Sequence, residues 1–269
     1  MTVSLRQIDS LVVDLDGVLW RGPQMLPGVK AFFDQVQDNG LKLLLASNNS
    51  TARPDAIRQR LERVDVQVPN QAILTSAIAT AGYLKRTLPP GAKILMIGED
   101  GLEHALIQAE FTLVDQADDA QAVVVGMDRA ATYDKLAEAT LAIRSGAAFV
   151  GTNPDRTFPT PRGLVPGNGS LLAAIEAATD TAPTVVGKPE TLYFELALET
   201  LGSRPGSTMM VGDRLDTDIE GGQRAGLKTG LVLTGVTDQS GLDASQIKPT
   251  WVFPDLASLT AALVRAVHD

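Results

Sequence analysis

The chain has 269 residues, 44% of them hydrophobic and 20% charged, the balance of a globular protein with a core of useful size. Its net charge of −9 argues against a nucleic-acid partner, which would need a basic face, and the lack of cysteine excludes disulfides and thiolate metal sites. No apolar run approaches the ~18 residues that span a bilayer, and MTVSLRQIDS lacks the blocks of a secretory signal, so a cytoplasmic protein with no membrane partner is expected.

Residues 11–13 (LVV) read as a first strand, and 29–39 as a helix stopped by Gly40. The run KLLLA at 42–46 is a second strand, followed by a helix from about Pro54 with the proline in its first turn. Another helix near 75–88 is closed by Pro89-Pro90-Gly91. A fresh series then begins with AKILMIG, LEHALIQA, AVVVGM, YDKLAEATLAIRSG and AAFVGTN. The stretch TNPDRTFPTPRGLVPGNG reads as a loop, one more helix follows, and the chain returns to TVVGKP, TMMVGD and KTGLVLTG. This alternation predicts parallel α/β layers. It fits a discontinuous core over 1–77 and 186–269 with a smaller α/β domain inserted over 78–185; a single continuous sheet is the alternative.

Four apolar runs end in polar residues of a consistent kind. LVV runs into Asp14 and Asp16, LLLA into Ser47, Asn48 and Asn49, TVVG into Lys188, and MMVG into Asp213, with Asp216 and Asp218 soon after. Each junction alone is an ordinary turn or cap. Together, at one edge of a parallel sheet, they mark where such sheets bind ligands. Two carboxylates about 4 Å apart repel by roughly 4 kcal/mol at an effective dielectric near 20. A cluster of Asp14, Asp16, Asp213 and Asp218 therefore needs protonation or a cation, and an all-oxygen set favours a hard ion such as Mg2+. With Lys188 and the donors around Ser47 and Asn48, such a site suits a phosphate group. Asp14 can then act as nucleophile while Asp16 handles protons on the leaving oxygen. Only two histidines are present, so histidine-based hydrolysis has little material.

In this order, DLDGV, SNN, GKP and GDRLDTDI resemble the four signature motifs of the haloacid dehalogenase superfamily. DLDGVLWRG, VGTNPD, PGNGS and VGDRLDTDI resemble its NagD and p-nitrophenylphosphatase-like branch, over nearly the whole chain. The resemblance implies a Rossmann-like core with a large α/β cap, and a Mg2+-dependent phosphatase for a small phosphorylated metabolite. It makes Asp14 nucleophile and metal ligand, and Asp16 general acid and base with its main-chain carbonyl on the metal. Ser47, Asn48 and Asn49 would surround the phosphoryl group, and Lys188 would balance its charge. Asp213 would bind the metal, with Asp218 orienting metal-bound water. Asn153 and Asp155 would approach the leaving group, and Trp20 and Arg21 would lie in a flap near the entry. Arg162 and Arg214 are weaker candidates, and a homodimer through the cap is compatible with the branch.

Other readings compete. A phosphotransferase or mutase of the same superfamily would need its cap to exclude water. A dehalogenase leaves the acidic set unexplained. A phospho-receiver module has no role for an insertion of this length, and a phosphometabolite sensor would bind without turnover. The P-loop and nucleophile-elbow motifs are missing: Lys188 is followed by Pro189, and no G-x-S-x-G occurs.

Overall fold

A computed structural model describes residues 4–160 and 162–268. The chain packs as two compact units, one of Met1–Ser47, Ile57–Leu74 and Phe194–Asp269, the other of Asn48–Ala56 and Thr75–Tyr193.

The first unit is built on a six-stranded sheet. Its order is Trp251–Phe253, Lys228–Val232, Thr208–Gly212, Ser10–Asp14, Lys42–Ser47, Ile73–Thr75, and the first five are mutually parallel. Ser10–Asp14 and Thr208–Gly212 are buried along their whole length, which is why both read as unbroken apolar runs rather than as alternation. The helix Val29–Asp38 buries Val29, Phe32, Phe33 and Val36, a three-and-four spacing that makes one apolar stripe. These side chains join Leu11, Val13, Leu45, Leu61, Met209 and Val211 in a single core. A small antiparallel flap, Trp20–Arg21 against Gln24–Met25, follows the first strand.

The second unit holds its own five-stranded sheet, in the order Thr184–Val185, Ala148–Gly151, Ala122–Val125, Lys93–Ile97, Thr112–Val114, parallel throughout. Helices Asp100–Gln108, Tyr133–Arg144 and Asn168–Thr179 alternate with these strands. Thr132 caps the second of them by accepting from the main-chain N–H of Lys135 at 3.3 Å. The chain therefore carries two separate parallel sheets flanked by helices, not one continuous sheet.

One stretch read as loop is ordered differently. Thr157–Thr160 and Gly163–Pro166 form an antiparallel hairpin that pairs with no other strand among the described residues. Its prolines, Pro159 and Pro166, hide it from propensity, because proline is excluded from central strands but tolerated where both strands are edges. Among the described residues no helix is long and apolar enough to cross a membrane.

Candidate active site

Parallel pairing brings three of the four polar strand ends to one sheet edge. Val13 lies beside Val211 and Asp14 beside Ala46, so Asp14, Ser47 and Asp213 follow three adjacent strands. The fourth strand end, expected at this edge, is elsewhere. Thr184–Val185, which leads to Lys188, pairs with Ala148–Gly151 in the other sheet, and Val186 and Gly187 continue that run with bonds to Gly151 and Thr152 at 3.0 and 2.9 Å. A short apolar run does not encode which sheet it joins; the strand beside it in space decides that.

Asp14, Asp213 and Asp218 each offer a carboxylate oxygen, and these oxygens all lie within 4.8 Å of one another. The three residues are 9%, 2% and 1% exposed. Main chain builds the cradle. The Val236 N–H donates to Asp213 Oδ2 at 2.6 Å, and the Asp213 carbonyl accepts from the Thr237 N–H at 3.1 Å. Gly17 has φ +84°, and a Cβ there would collide with the Asp213 carboxylate and lie 2.9 Å from the Gly235 Cα; a Cβ at Gly235 would collide with the same carboxylate. Asp218 sits in a π-helical turn, Leu215–Ile219, where its N–H donates to the Arg214 carbonyl at 3.1 Å and its Oδ2 accepts from the Arg214 N–H at 3.2 Å. Its neighbour Asp216 is paired with Arg214 at 2.8 Å, which holds the Asp216 carboxyl below the usual carboxylate range.

Three buried carboxylates at this spacing would repel strongly in a low-dielectric interior. The donor set is all oxygen, with no cysteine in the chain, so these residues fit a hard divalent cation. Asp16 stands apart from the three. It is exposed, and its Oδ1 accepts from the Trp20 indole N–H at 3.0 Å. Arg21, in the same flap, donates to the main-chain carbonyls of Thr234 and Gly235.

The second unit gathers the other candidates. The Asn48 side chain pairs with both main-chain groups of Lys188: its Oδ1 accepts from the Lys188 N–H and its Nδ2 donates to the Lys188 carbonyl, each at 2.9 Å. The same Nδ2 lies 3.2 Å from Asp155 Oδ2. Asn153 donates to the Asn48 carbonyl at 2.9 Å, as does the Ser76 hydroxyl at 2.7 Å. Lys188 is 2% exposed, and Asn49 is exposed, bonding locally to Thr51. Sequence reasoning missed Asn168. Fully buried within PGNGS, it donates to the carbonyls of Val125 and Asn153 at 3.2 and 2.8 Å and so locks the TNPD segment in place. A buried helix-start asparagine between two glycines is its only local signal. Arg162 sits exposed at the turn of the 157–166 hairpin.

Residues 11–112 match the family described as haloacid dehalogenase-like hydrolase, and residues 185–259 one described as HAD-hydrolase-like. An acid sugar phosphatase of Staphylococcus aureus is 37% identical over 96% of this chain and 99% of its own. The chain belongs to the haloacid dehalogenase-like hydrolases. Within that family its structure is of the p-nitrophenylphosphatase type. A p-nitrophenyl phosphatase from Archaeoglobus fulgidus superposes with a TM-score of 0.89 at 33% identity, covering 95% of this chain and 99% of that one. A glycerol phosphate phosphatase from Mycobacterium tuberculosis, solved in complex with magnesium, gives 0.86 at 35% identity, covering 96% and 78%. These haloacid dehalogenase-like relatives act on phosphomonoesters, and the acidic cluster of this chain fits a divalent metal, such as the magnesium bound by the Mycobacterium tuberculosis protein.

Proposed function

We propose that this phosphatase hydrolyses small phosphomonoesters with Mg2+, through a phosphoryl group carried transiently on Asp14. The observation that carries the reading is the buried trio of Asp14, Asp213 and Asp218 at the end of parallel strands. An Asp14 oxygen attacks phosphorus, the bond from phosphorus to the ester oxygen breaks, and Asp16 gives that oxygen its proton. Asp16 then takes a proton from water as the water attacks the aspartyl-phosphate, releasing inorganic phosphate and restoring Asp14. A Mg2+ held by Asp14, Asp213 and the main-chain carbonyl of Asp16, with Asp218 orienting its bound water, would offset the repulsion of the trio and draw charge from the phosphoryl oxygens.

The remaining residues take supporting roles in this reading. Ser47, at the strand end beside Asp14, donates to a phosphoryl oxygen. With the Asn48 side chain engaged by Lys188 and Asp155, main-chain amides at 48 and 49 are the donors we assign there. Lys188 balances the charge of phosphate and nucleophile; an ammonium so buried is stable only near anions. Asn153 and Asp155 address the leaving group. A small phosphorylated sugar or polyol is the substrate class that the named relatives suggest. The same reading carries a cytoplasmic enzyme and a homodimer through residues 78–185, which sedimentation would check.

Phosphate release from p-nitrophenyl phosphate, with water as the only acceptor, tests the proposal in the native chain and in Asp14→Asn. Metal-dependent release that falls by orders of magnitude in the variant supports it. Release by the variant at the native rate, or none by the native chain, sinks it.

A further inference from the structure

We infer that Arg60 is a positioning residue for the proton-transferring carboxylate of Asp16, acting through Trp20. The inference rests on the assignment of Asp16 as the acid that protonates the leaving oxygen. Asp16 is exposed, and an aspartate in solvent samples several rotamers, only some of which present a proton to a given ester oxygen. Its Oδ1 accepts from the Trp20 indole N–H, four residues further on, at 3.0 Å. Trp20 is itself buried, at 3% exposure, in the short flap after the first strand.

Arg60 fixes that indole from outside the flap. It projects from the helix Pro54–Glu62, and its guanidinium carbon lies 4.0 Å from the centroid of the Trp20 ring. The same guanidinium donates to the main-chain carbonyl of Gly22. One planar cation thus grips the flap twice, by the face of its aromatic ring and by its backbone two residues later. Burial draws Arg60 below the ordinary arginine range, and the charge of Asp16 opposes that. A purely structural arginine could stack on any ring. This one stacks on the ring whose only polar atom donates to Asp16, so its removal loosens the flap and, with it, that donor.

The test uses leaving groups of different basicity. Nitrophenolate departs with little need of a proton, whereas phenolate, of nearly the same shape, needs one. The measured quantity is kcat/KM for p-nitrophenyl phosphate and for phenyl phosphate, because it reports only the steps up to departure of the leaving group. Asp16→Asn serves as the reference and should lose far more on phenyl phosphate than on p-nitrophenyl phosphate. Trp20→Phe keeps the ring under Arg60 but removes the N–H, and Arg60→Ala keeps the N–H but frees the ring. Each should lower kcat/KM on phenyl phosphate about tenfold, a part of the ~10²–10⁴ that general acid–base catalysis supplies, and lower it much less on p-nitrophenyl phosphate. Arg60→Lys, which keeps a cation near the ring but loses the planar stack and fork, should recover part of the loss. If Asp16→Asn discriminates between the substrates but Trp20→Phe and Arg60→Ala lower both equally, or neither, the positioning role is wrong and the acid assignment stands. A lysine variant no better than the alanine one also overturns it. If Asp16→Asn itself fails to discriminate, the acid assignment falls and takes this inference with it.

Discussion

Replacing Asn48 separates two roles for its side chain, a latch on Lys188 and a ligand for phosphate. Asn48→Ala deletes three hydrogen bonds, those with the Lys188 N–H and carbonyl at 2.9 Å and that with Asp155 Oδ2 at 3.2 Å. The main-chain carbonyl of Asn48 keeps its bonds from Asn153 and Ser76, so the segment stays anchored. Two neutral bonds at about 1 kcal/mol each and one to a charged acceptor at about 1.5 kcal/mol or more give a loss of at least about 3.5 kcal/mol. For a unit of this size that lowers the melting midpoint on the order of 10 °C. Asn48→Asp is the sharper variant. It keeps an acceptor for the Lys188 N–H but turns a second oxygen toward the Lys188 carbonyl and the Asp155 carboxylate, so it should be at least as unstable as the alanine variant. Thermal and urea melts, run beside KM for p-nitrophenyl phosphate, check this. Native-like melting of both variants with the whole loss in KM would refute the latch.

Added Mg2+ should raise the melting midpoint with concentration, by a stabilisation near 2.7 kcal/mol at a hundred times its Kd, and Asp213→Asn should abolish most of that rise in the same scan. Gly235→Ala should weaken Mg2+ affinity more than it weakens folding, since its Cβ would displace the Asp213 carboxylate; titration calorimetry against melting shows which property moved. Glu99 in the second unit is held below the ordinary glutamate range by its hydrogen bond from Arg129. Its folded value lies beneath its unfolded one, so the contribution is complete above about pH 4.3 and is lost as the pH falls through the folded value. Arg129→Gln should flatten the stability curve over that acid range by less than about 1 kcal/mol, because the arginine is mostly exposed. Equal acid slopes for both chains would show that the pair contributes nothing.

Much of the carboxylate trio was legible in the chain because its signals are local. An apolar run ending in aspartate needs only a strand and a turn, and DLDG and GDRLD each carry theirs within five residues. The helices 29–39 and 75–88 were likewise readable from spacing and their glycine or proline stops, and correspond to Val29–Asp38 and Ser76–Thr87. What escaped was non-local. Nothing near Gly235 or Val236 announces that they enclose Asp213, and Arg60 meets Trp20 across a separation that no motif spans. Which sheet the strand before Lys188 joins is non-local in the same way, since Thr184–Val185 finds its partner at Val150 and Gly151. The engagement of Asn48 with Lys188 became visible only once both main chains were placed.

The register of the first sheet bears on how the protein is made. Ser10–Asp14 has one edge covered early, by Lys42–Ser47, but the partner on its other edge is Thr208–Gly212. At ~5–20 residues per second a ribosome needs about 10–40 s to deliver that partner after the first strand has emerged. During this interval the strand that bears the nucleophile is half paired, and its LVV run offers an open edge to any chain nearby. The second unit, most of it one uninterrupted segment, is complete by Tyr193 and need not wait. Fast translation, or a holdase that covers nascent strands, would therefore protect the yield of active enzyme at its first strand.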